Sequence, residues 1–356
     1  MRAILAGGGT GGHVIPALAI AQQLQQEYGS EILFIGTAKG LENRLVPAAG
    51  FELKLIKVGA LKNVALSTRF KTLGDVPRAV LQARRIFAQF RPDVVIGVGG
   101  YASGPAMLAA TVQRIPTLAF EPNAVPGLAN RLVARSVSAA AVHFPQTAQY
   151  FRRARVTGVP VRQAFFEIGP PPLNGTGPTV LAFGGSQGAH TINLALAGCV
   201  AQLRAEFPQL KVIHQSGEAD YNELAATYQD GGLDVQLSRF IEDMPACFKQ
   251  ADLVICRSGA STVAELAAAG RGAILIPFPR AADDHQKRNA EALVHAGAAE
   301  MIEESQLTPM TLAGHVGSLL RSPERLQALS AAAHKLAHPN AAGEIAGMAA
   351  QLVRKR

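Results

Sequence analysis

Cysteine is scarce in this chain of 356 residues, and tryptophan is absent. The three cysteines, Cys199, Cys247 and Cys256, are odd in number and form no C-x-x-C pair. That pattern argues against a disulfide framework and a thiolate zinc site, and it favours a reducing cytosol. Gly7 interrupts the first apolar run too early for a secretory signal peptide, so we expect none.

A clean membrane span is also missing. Residues 94–113 form an uncharged run of sufficient length, but it contains Gly97, Gly99, Gly100, Gly104 and Pro105. We therefore interpret this run as a strand, a loop and a helix.

Acidic residues are sparse in the first half of the chain. Residues 1–162 contain 19 lysines and arginines against 7 acids, whereas residues 163–356 contain 15 against 19. The formal net charge of +8 is thus concentrated in the first half. This asymmetry predicts two halves with different partners.

A glycine-rich loop follows the first predicted strand. Residues 2–6 predict a buried strand, and the loop Gly7-Gly8-Gly9-Thr10-Gly11-Gly12-His13 leads into a helical pattern with Pro16 near its first turn. Glycines let backbone amides approach an anion, and a helix N-terminus favours negative charge. The loop therefore predicts a site for a phosphate-bearing ligand; the alternative is a tight turn without a ligand, which leaves His13 unexplained.

The same loop satisfies the dinucleotide pattern G-x-G-x-x-G through Gly7, Gly9 and Gly12. A dehydrogenase also needs an acid at the end of the second strand to bind the ribose. That strand, residues 32–35, ends in Gly36-Thr37, so the dehydrogenase interpretation is not supported.

Strand and helix patterns alternate along both halves. A proline- and glycine-rich linker, 163–178, separates residues 1–162 from residues 179–335, where a strand and a glycine loop, 184–190, repeat the opening pattern. The sequence therefore predicts an α/β protein with two doubly wound, Rossmann-like domains facing a cleft, with ligands at the carboxyl ends of the strands.

Three segments of the second half point to one ligand. Ser186 and its neighbouring amides can hold a pyrophosphate at a helix start. Glu265 either completes a capping box with Thr262 or binds a ribose diol. Gln286 either fills a loop or reads a sugar hydroxyl. The adjacent Asp283, Asp284 and His285 could ligate a metal, although no partner cluster is evident.

Six motifs occur in order along the chain: GGGTGGH at 7–13, GGYASGP at 99–105, GVPVR at 158–162, GGSQGAHTIN at 184–193, CRSGASTVAEL at 256–266 and DDHQKRNA at 283–290. Over essentially its whole length, the chain resembles the MurG family of UDP-N-acetylglucosamine transferases. The resemblance implies a GT-B fold, with an acceptor domain at 1–162, a donor domain at 179–335 and a final segment, 336–356, whose helix packs back on the first domain.

The resemblance also implies roles for particular residues. His13 would be the base on the acceptor side, with Glu121 as a further catalytic candidate. Ile241 would contact uracil through its backbone, and Glu265 would hold the ribose. The donor contacts carried over are Thr10, Gly11, Gly12, Asn123, Arg162, Ser186, Ile241, Ala260, Ser261, Thr262, Val263, Ala264, Glu265 and Gln286. The acceptor pyrophosphate would lie against Gly9, Gly11, Gly100, Tyr101 and Ser103.

The chain departs from the family pattern at a few positions. Phe120 and Pro122 stand where the family often has histidine and glutamine, which puts hydrogen bonding there in doubt, and Arg280 stands where histidine is common. The chain has no Asp-x-Asp motif, and its nearest equivalent is Glu218-Ala219-Asp220. We therefore expect that neither a metal nor another cofactor is needed.

The implied activity is that of an inverting transferase of peptidoglycan synthesis. It would move N-acetylglucosamine (GlcNAc) from UDP-GlcNAc to lipid I, the undecaprenyl-pyrophosphoryl muramyl pentapeptide, and form lipid II. The alternatives are a UDP-GlcNAc 2-epimerase and a non-catalytic protein that binds UDP-sugars or lipid pyrophosphates. Nucleic acid is not an expected partner.

The acceptor lipid implies contact with a membrane. The stretch from Lys54 to Arg91 contains nine lysines and arginines and one acid, Asp75. We expect residues 62–85 to dock on an anionic surface, which would place a peripheral protein on the cytoplasmic face of the inner membrane. The alternative is a helix that packs in the core and exposes a solvated basic face.

Overall fold

The structure, a computed structural model, describes residues 1–58, 66–172 and 177–354, with the backbone alone for 66–74. The chain divides into two compact units. Unit 1 contains Met1–Pro160 and Asn340–Arg356, and unit 2 contains Val161–Pro339. Unit 1 is therefore built from both ends of the chain.

Unit 1 is formed around a parallel sheet of seven strands in the order β3-β2-β1-β4-β5-β6-β7. Apolar runs at Ile4, Ile35 and Val95 place fully or almost fully buried side chains in its core. The strands are β1 (Arg2–Gly7), β2 (Glu31–Gly36), β3 (Glu52–Leu55), β4 (Val94–Gly99), β5 (Thr117–Glu121), β6 (Ala139–Val142) and β7 (Ala154–Val156).

Helices cover this sheet. They are α1 (Gly11–Tyr28), α2 (Glu42–Ala48), α3 (Leu66–Phe90), α4 (Ser103–Val112), α5 (Leu128–Val133) and, at the C-terminal end, α15 (Ala341–Arg354). Helix α15 packs against α1. The uncharged run at 94–113 forms β4, a loop and all of α4, as its glycines predicted. None of the helices in the described part of the chain combines the length and the apolar character that crossing a bilayer requires.

Unit 2 is formed around a second parallel sheet, of six strands, in the order β10-β9-β8-β11-β12-β13. Its core includes Ile192, Leu253 and Ile274, which are fully buried. The strands are β8 (Thr179–Phe183), β9 (Lys211–Gln215), β10 (Val235–Ser238), β11 (Leu253–Cys256), β12 (Gly272–Leu275) and β13 (Ala299–Met301).

Nine α-helices belong to the described part of unit 2. They are α6 (Gln163–Phe166), α7 (His190–Ala197), α8 (Val200–Glu206), α9 (Tyr221–Asp230), α10 (Met244–Gln250), α11 (Ala260–Ala269), α12 (His285–His295), α13 (Pro309–Leu320) and α14 (Pro323–His334).

The glycine loops described above lie where the strand order of each sheet reverses. In unit 1 the order reverses between β1 and β4, and in unit 2 it reverses between β8 and β11. Ligands of doubly wound sheets bind outside the carboxyl ends of the strands at such a reversal. The loops at 7–13 and 99–105 follow β1 and β4, and the loops at 184–190 and 257–260 follow β8 and β11.

Helix α1 starts earlier than its sequence suggests. It begins at Gly11, so Pro16 lies inside the helix and not near its start. The prediction was wrong because glycine is a poor signal for a helix start. Proline has no N–H, so the carbonyl of Gly12 receives no helical hydrogen bond from residue 16.

The segment predicted as a linker, 163–178, is partly folded into unit 2. Phe165 in α6 is fully buried, and its ring meets Phe248 edge-on with 5.2 Å between centroids. Arg271, 1% exposed, donates from Nε to the Phe248 carbonyl at 2.9 Å and from Nη1 to the Gly169 carbonyl at 2.9 Å. Burial lowers the pKa of Arg271 to about 10, and nearby Asp252 opposes that shift.

We predict that Arg271→Ala destabilises unit 2 by about 3–5 kcal/mol, because several buried carbonyls lose their donor and Asp252 loses a nearby positive charge. Urea unfolding measures this free energy. The matched control is Arg321→Ala, since Arg321 is 60% exposed and pairs with Glu206 on the surface. We expect the control to cost about 0–1 kcal/mol. Equal losses for both variants would contradict the assignment of Arg271 as the anchor of residues 163–169.

Candidate functional site

The two glycine loops of unit 1 interlock through their backbones. The Gly8 N–H donates to the Gly99 carbonyl at 3.3 Å. A Cβ on Gly7 would collide with that carbonyl, and a Cβ on Gly100 would collide with the carbonyl of Gly8. Gly99 and Gly100 also have φ values of 91° and 79°, which disfavour other residues. Close backbone approach therefore requires glycine at these three positions, whether or not a ligand binds there.

His13 is held by this arrangement. It is the third residue of α1, and its backbone N–H donates to the Thr10 carbonyl at 3.1 Å. Its ring lies on the backbone of Gly99, where a Cβ would be 2.7 Å from His13 Cε1. The sequence placed His13 at the end of the first loop but did not reveal that its ring packs against the backbone of the second loop.

The residues predicted to contact the acceptor pyrophosphate differ in exposure and in the hydrogen bonds they already make. The Gly9 N–H donates to Glu42 Oε2 at 2.7 Å, so that amide is already engaged. The Ser103 side chain is fully buried against Gly97, whereas Tyr101 is 48% exposed. Gly11, with Gly12, forms the first turn of α1, where amide groups have no acceptor within the helix.

Glu121 ends β5 and is buried within its own loop. Its carboxylate accepts hydrogen bonds from the Asn123 and Gly127 amides at 3.1 and 3.0 Å, and from the side chains of Asn123 and Asn130 at 3.2 and 3.0 Å. Burial raises the pKa of Glu121, and these hydrogen bonds oppose the shift. The geometry supports a role in shaping the loop that carries Asn123. Phe120, fully buried, contributes to the core of the sheet.

In unit 2 the glycine loop after β8 is tied to the loop after β10 by one buried side chain. Gln215, 1% exposed, donates from Nε2 to the Gly185 carbonyl at 2.8 Å. Its Oε1 accepts the Ile241 N–H at 2.9 Å. Ser186 is exposed at the tip of the glycine loop. Gln215 thus brings together two segments that the sequence assigned to one ligand, and nothing in its pattern marked it.

A second buried network lies below this loop. Asn193 donates from Nδ2 to the Ser216 carbonyl at 2.8 Å and to Asp220 at 2.7 Å, so its Oδ1 faces His214 Nε2, 2.9 Å away. The other ring nitrogen, Nδ1, lies 2.9 Å from the Tyr228 hydroxyl. Burial lowers the pKa of His214 to about 4, so the ring is neutral and donates to Asn193.

Helix α11 excludes one of the two interpretations of Glu265. The helix begins at Ala260 with Gly259 as its N-cap, and no side chain caps it. Thr262 is therefore inside the helix, and the capping-box alternative is wrong. Protein atoms surround the Glu265 carboxylate closely enough that burial raises its pKa to about 7, while the positive charge of Arg162 opposes the shift.

The other predicted residues of α11 differ in what they can offer. Val263 and Ala264 are buried at 1% and 5% exposure, and Ala260 at 8%, so their side chains serve the core and any ligand contact would use the backbone. The Ser261 hydroxyl is buried and has no hydrogen-bond partner in the described part of the chain. Arg162 is exposed, and its guanidinium lies 5.1 Å from the Phe165 ring centroid.

Gln286 is brought to the start of α11. Its carbonyl accepts a hydrogen bond from the Ser258 hydroxyl at 2.8 Å, and its Oε1 accepts the Phe278 N–H at 3.0 Å. Asn289, fully buried, donates to the Ser258 carbonyl at 3.1 Å. Gln286 therefore has a defined structural role, since it joins the loops after β11 and β12. Its role in reading a sugar hydroxyl stays a prediction.

Arg257 supports the same region, although the sequence assigned it no role. Its Nη1 donates to the Ile276 carbonyl at 3.1 Å, and its Nη2 forms an ion pair with Glu304 at 2.5 Å. The guanidinium also lies 5.3 Å from the Phe278 ring centroid.

The aspartates before Gln286 adopt a rare conformation. Asp283 and Asp284 have φ values of 56° and 51°, in the left-handed region. Within residues 1–58, 66–172 and 177–354, no three histidine, cysteine or acidic side chains gather as a metal site. The expectation that no metal is required stays a prediction.

Comparisons with known proteins agree over the whole chain. Residues 3–142 match the glycosyltransferase family 28 N-terminal domain, and residues 179–345 match the glycosyltransferase family 28 C-terminal domain. A relative from Anaeromyxobacter sp. (strain Fw109-5) is 45% identical over 100% of this chain and 94% of its own length. A relative from Solibacter usitatus is 43% identical over 99% of this chain and 96% of its own. Both are named UDP-N-acetylglucosamine--N-acetylmuramyl-(pentapeptide) pyrophosphoryl-undecaprenol N-acetylglucosamine transferase.

Solved structures give the same result. The crystal structure of Acinetobacter baumannii MurG superposes with a TM-score of 0.84 at 33% identity and covers 98% of this chain and 99% of its own. The Neisseria meningitidis UDP-GlcNAc 2-epimerase, at 15% identity and a TM-score of 0.68 over 100% of both chains, shares the fold alone. The two parallel sheets, their glycine loops and these full-length matches show that the chain belongs to glycosyltransferase family 28 and, within it, to the MurG family.

Proposed function

We propose that this protein transfers GlcNAc from UDP-GlcNAc to the muramyl sugar of undecaprenyl-pyrophosphoryl muramyl pentapeptide. The observation that carries the proposal is full-length identity of 42–45% to relatives that are all named for this reaction. The paired glycine loops support it, because each unit offers a helix start to a phosphate-bearing substrate. Unit 1 would bind the acceptor, and unit 2 would bind the donor.

His13 would act as the base. In an inverting transfer, the acceptor hydroxyl attacks the anomeric carbon while UDP leaves, and the hydroxyl proton must go to a group within hydrogen-bond reach. The His13 ring is fixed on the Gly99 backbone at the start of α1. The structure favours His13 over Glu121, whose carboxylate already accepts three hydrogen bonds from its own loop and one from Asn130 in α5.

Unit 2 would bind UDP through groups fixed in advance. Glu265 would accept hydrogen bonds from the ribose diol, and Gln286 would read a sugar hydroxyl. Because Gln215 already accepts the Ile241 N–H, the Ile241 carbonyl is the backbone group left for the uracil. Amides around Ser186 and the charge of Arg162 would stabilise the negative charge that develops on the leaving phosphate.

UDP release separates this function from the alternatives. The purified protein is incubated with UDP-GlcNAc, with and without a short-chain analogue of the lipid acceptor. A transferase releases UDP when the acceptor is present, whereas a hydrolysing 2-epimerase releases UDP without it. A binding protein releases none under either condition.

The location at an anionic membrane surface is part of the proposal. Helix α3 packs Ala79, Ala83 and Phe87 in the core of unit 1, as the core-packing alternative requires. Arg84 and Arg85 are exposed on the same helix. Of the predicted docking segment, residues 62–65 and the side chains of 66–74 lie outside the described residues. The exposed arginines and a lipid-linked acceptor support peripheral binding at the cytoplasmic face.

For His13→Ala we expect kcat to fall by about 10²–10⁴-fold with little change in donor KM, because a general base acts in the transition state. Steady-state transfer to the acceptor analogue measures both constants. His295→Ala is the control, since His295 is exposed at the end of α12. A His13→Ala variant with the kcat of wild type would remove His13 from the mechanism and make Glu121 the next residue to test.

For Glu265 we predict a pH-dependent donor KM. The raised pKa of about 7 means that the carboxylate is ionised above pH 7, where it accepts hydrogen bonds best, so wild-type KM should rise as the pH falls below 7. Glu265→Gln should raise KM about tenfold at pH 8 and flatten this dependence. Its melting temperature at pH 8 should not fall, because ionising a buried acid with a raised pKa costs stability as the pH rises through 4.5–7.

The control for Glu265 is Glu206→Gln, on the surface of unit 2. A lower melting temperature with an unchanged donor KM would show that Glu265 serves the fold and not the donor.

For the membrane we predict that Arg84→Gln/Arg85→Gln weakens co-sedimentation with vesicles of anionic lipid, since each basic residue near the surface contributes about 1 kcal/mol. Arg321→Gln/Arg325→Gln on unit 2 removes the same charge elsewhere and should bind as wild type does. Equal binding by all three proteins, or binding that is insensitive to salt, would refute docking through α3.

A further inference from the structure

Glu42 is a buried acid beside the first glycine loop. It is the first residue of α2 and is 2% exposed. Its Oε2 accepts the Gly9 N–H at 2.7 Å, while Oε1 accepts the Thr37 N–H at 2.9 Å and the Thr37 hydroxyl at 3.1 Å. In the described part of the chain no cation pairs with it. The carboxylate is therefore stabilised by two backbone amides and a hydroxyl. Because a buried carboxylate that loses such a donor is costly, these three donors are held in place.

The surroundings of Glu42 are shaped to admit its side chain. A Cβ on Gly8 or Gly40 would collide with the carboxylate, and a Cβ on Gly36 would be 2.6 Å from Glu42 Cγ. The neighbouring Leu41 N–H donates to the Gly9 carbonyl at 3.2 Å. Both polar groups of Gly9 are thus bonded to the start of α2.

These contacts continue to His13. Gly9 has a φ of 97° and precedes Thr10, the N-cap from which α1 starts. On the other side, Gly8 is bonded to Gly99, which supports the His13 ring. The loop is therefore clamped between α2 and the second glycine loop, and Glu42 supplies the clamp on the α2 side.

We infer that Glu42 is a positioning residue for the transfer reaction: it fixes the Gly9 peptide, and through it the start of α1 and the His13 ring. This inference rests on the proposed function. Glu42 itself is covered by protein and acts through Gly9. A displacement of about 1 Å at a reacting group can cost about 10²-fold in rate.

The test is Glu42→Gln. A glutamine can keep its oxygen on the two donors of Thr37, which leaves its NH₂ group facing the Gly9 N–H and breaks that hydrogen bond. We expect kcat to fall about 10- to 100-fold. UDP affinity, measured by titration, should stay within about twofold, because the groups proposed to bind UDP itself, at Ser186, Ile241 and Glu265, lie in unit 2. Should Glu42→Gln fail to fold, Glu42→Asp, which is too short to reach both loops, takes its place.

A double-mutant cycle with His13→Ala separates positioning from general damage. If Glu42 acts through His13, the double variant is no slower than His13→Ala by more than about twofold. Losses that multiply would overturn the inference, and so would a Glu42→Gln kcat within about twofold of wild type.

The matched control is Asp93→Asn. Asp93 Oδ2 accepts the Arg2 N–H at 2.7 Å, so this carboxylate holds the opposite end of β1. Amide hydrogen exchange should accelerate at Gly9 in Glu42→Gln and at Arg2 in Asp93→Asn, and only Glu42→Gln should lose kcat. Exchange does not depend on activity, so an inactive wild type would refute the proposed function alone. Unchanged exchange at Gly9 in Glu42→Gln would refute the positioning role.

Discussion

Close approach of backbones at the carboxyl ends of β1 and β4 is the constraint on which the two glycine loops of unit 1 depend. Gly7, Gly99 and Gly100 have no room for a Cβ, because each would meet a carbonyl or a ring of the other loop. The interlocked loops bring His13 onto the Gly99 backbone. The proposed base is thus supported by backbone that close packing fixes, and a fixed geometry is what preorganised catalysis requires.

Buried polar side chains perform the same task in both units. Glu42 and Glu121 hold loops of unit 1 through backbone amides, and Gln215 joins two loops of unit 2. A buried polar group is costly unless its partners are in place, so each of them penalises any other loop conformation. These contacts therefore fix the conformation of loops at the ends of the sheets.

Burial shifts the pKa values of two side chains of unit 2 in opposite directions. It raises the pKa of Glu265 to about 7 and lowers that of His214 to about 4. The consequences differ because their partners differ. His214 is neutral and bonded on both ring nitrogens, so it serves the structure. Glu265 has a carboxylate whose charge a ligand with paired hydroxyl groups would stabilise, so the proposed binding of the donor would favour its ionised form.

The sequence by itself determined the two α/β halves and the glycine loops at strand ends, because short apolar strands, glycine runs and a helix pattern are local signals. It also marked His13 at the end of the first loop, whereas the role of His13 as a base came from the family resemblance. Strands β7 and β13, each of three residues, were too short to predict. Glycine-rich starts hid the N-termini of α1 and α11, so Pro16 and Thr262 were misplaced. Only the tertiary structure assigned Glu42 and Gln215 their roles, since their partners lie 33, 30 and 26 residues away. Strand order, which no local pattern encodes, decides which of those distant backbone groups meet a buried side chain.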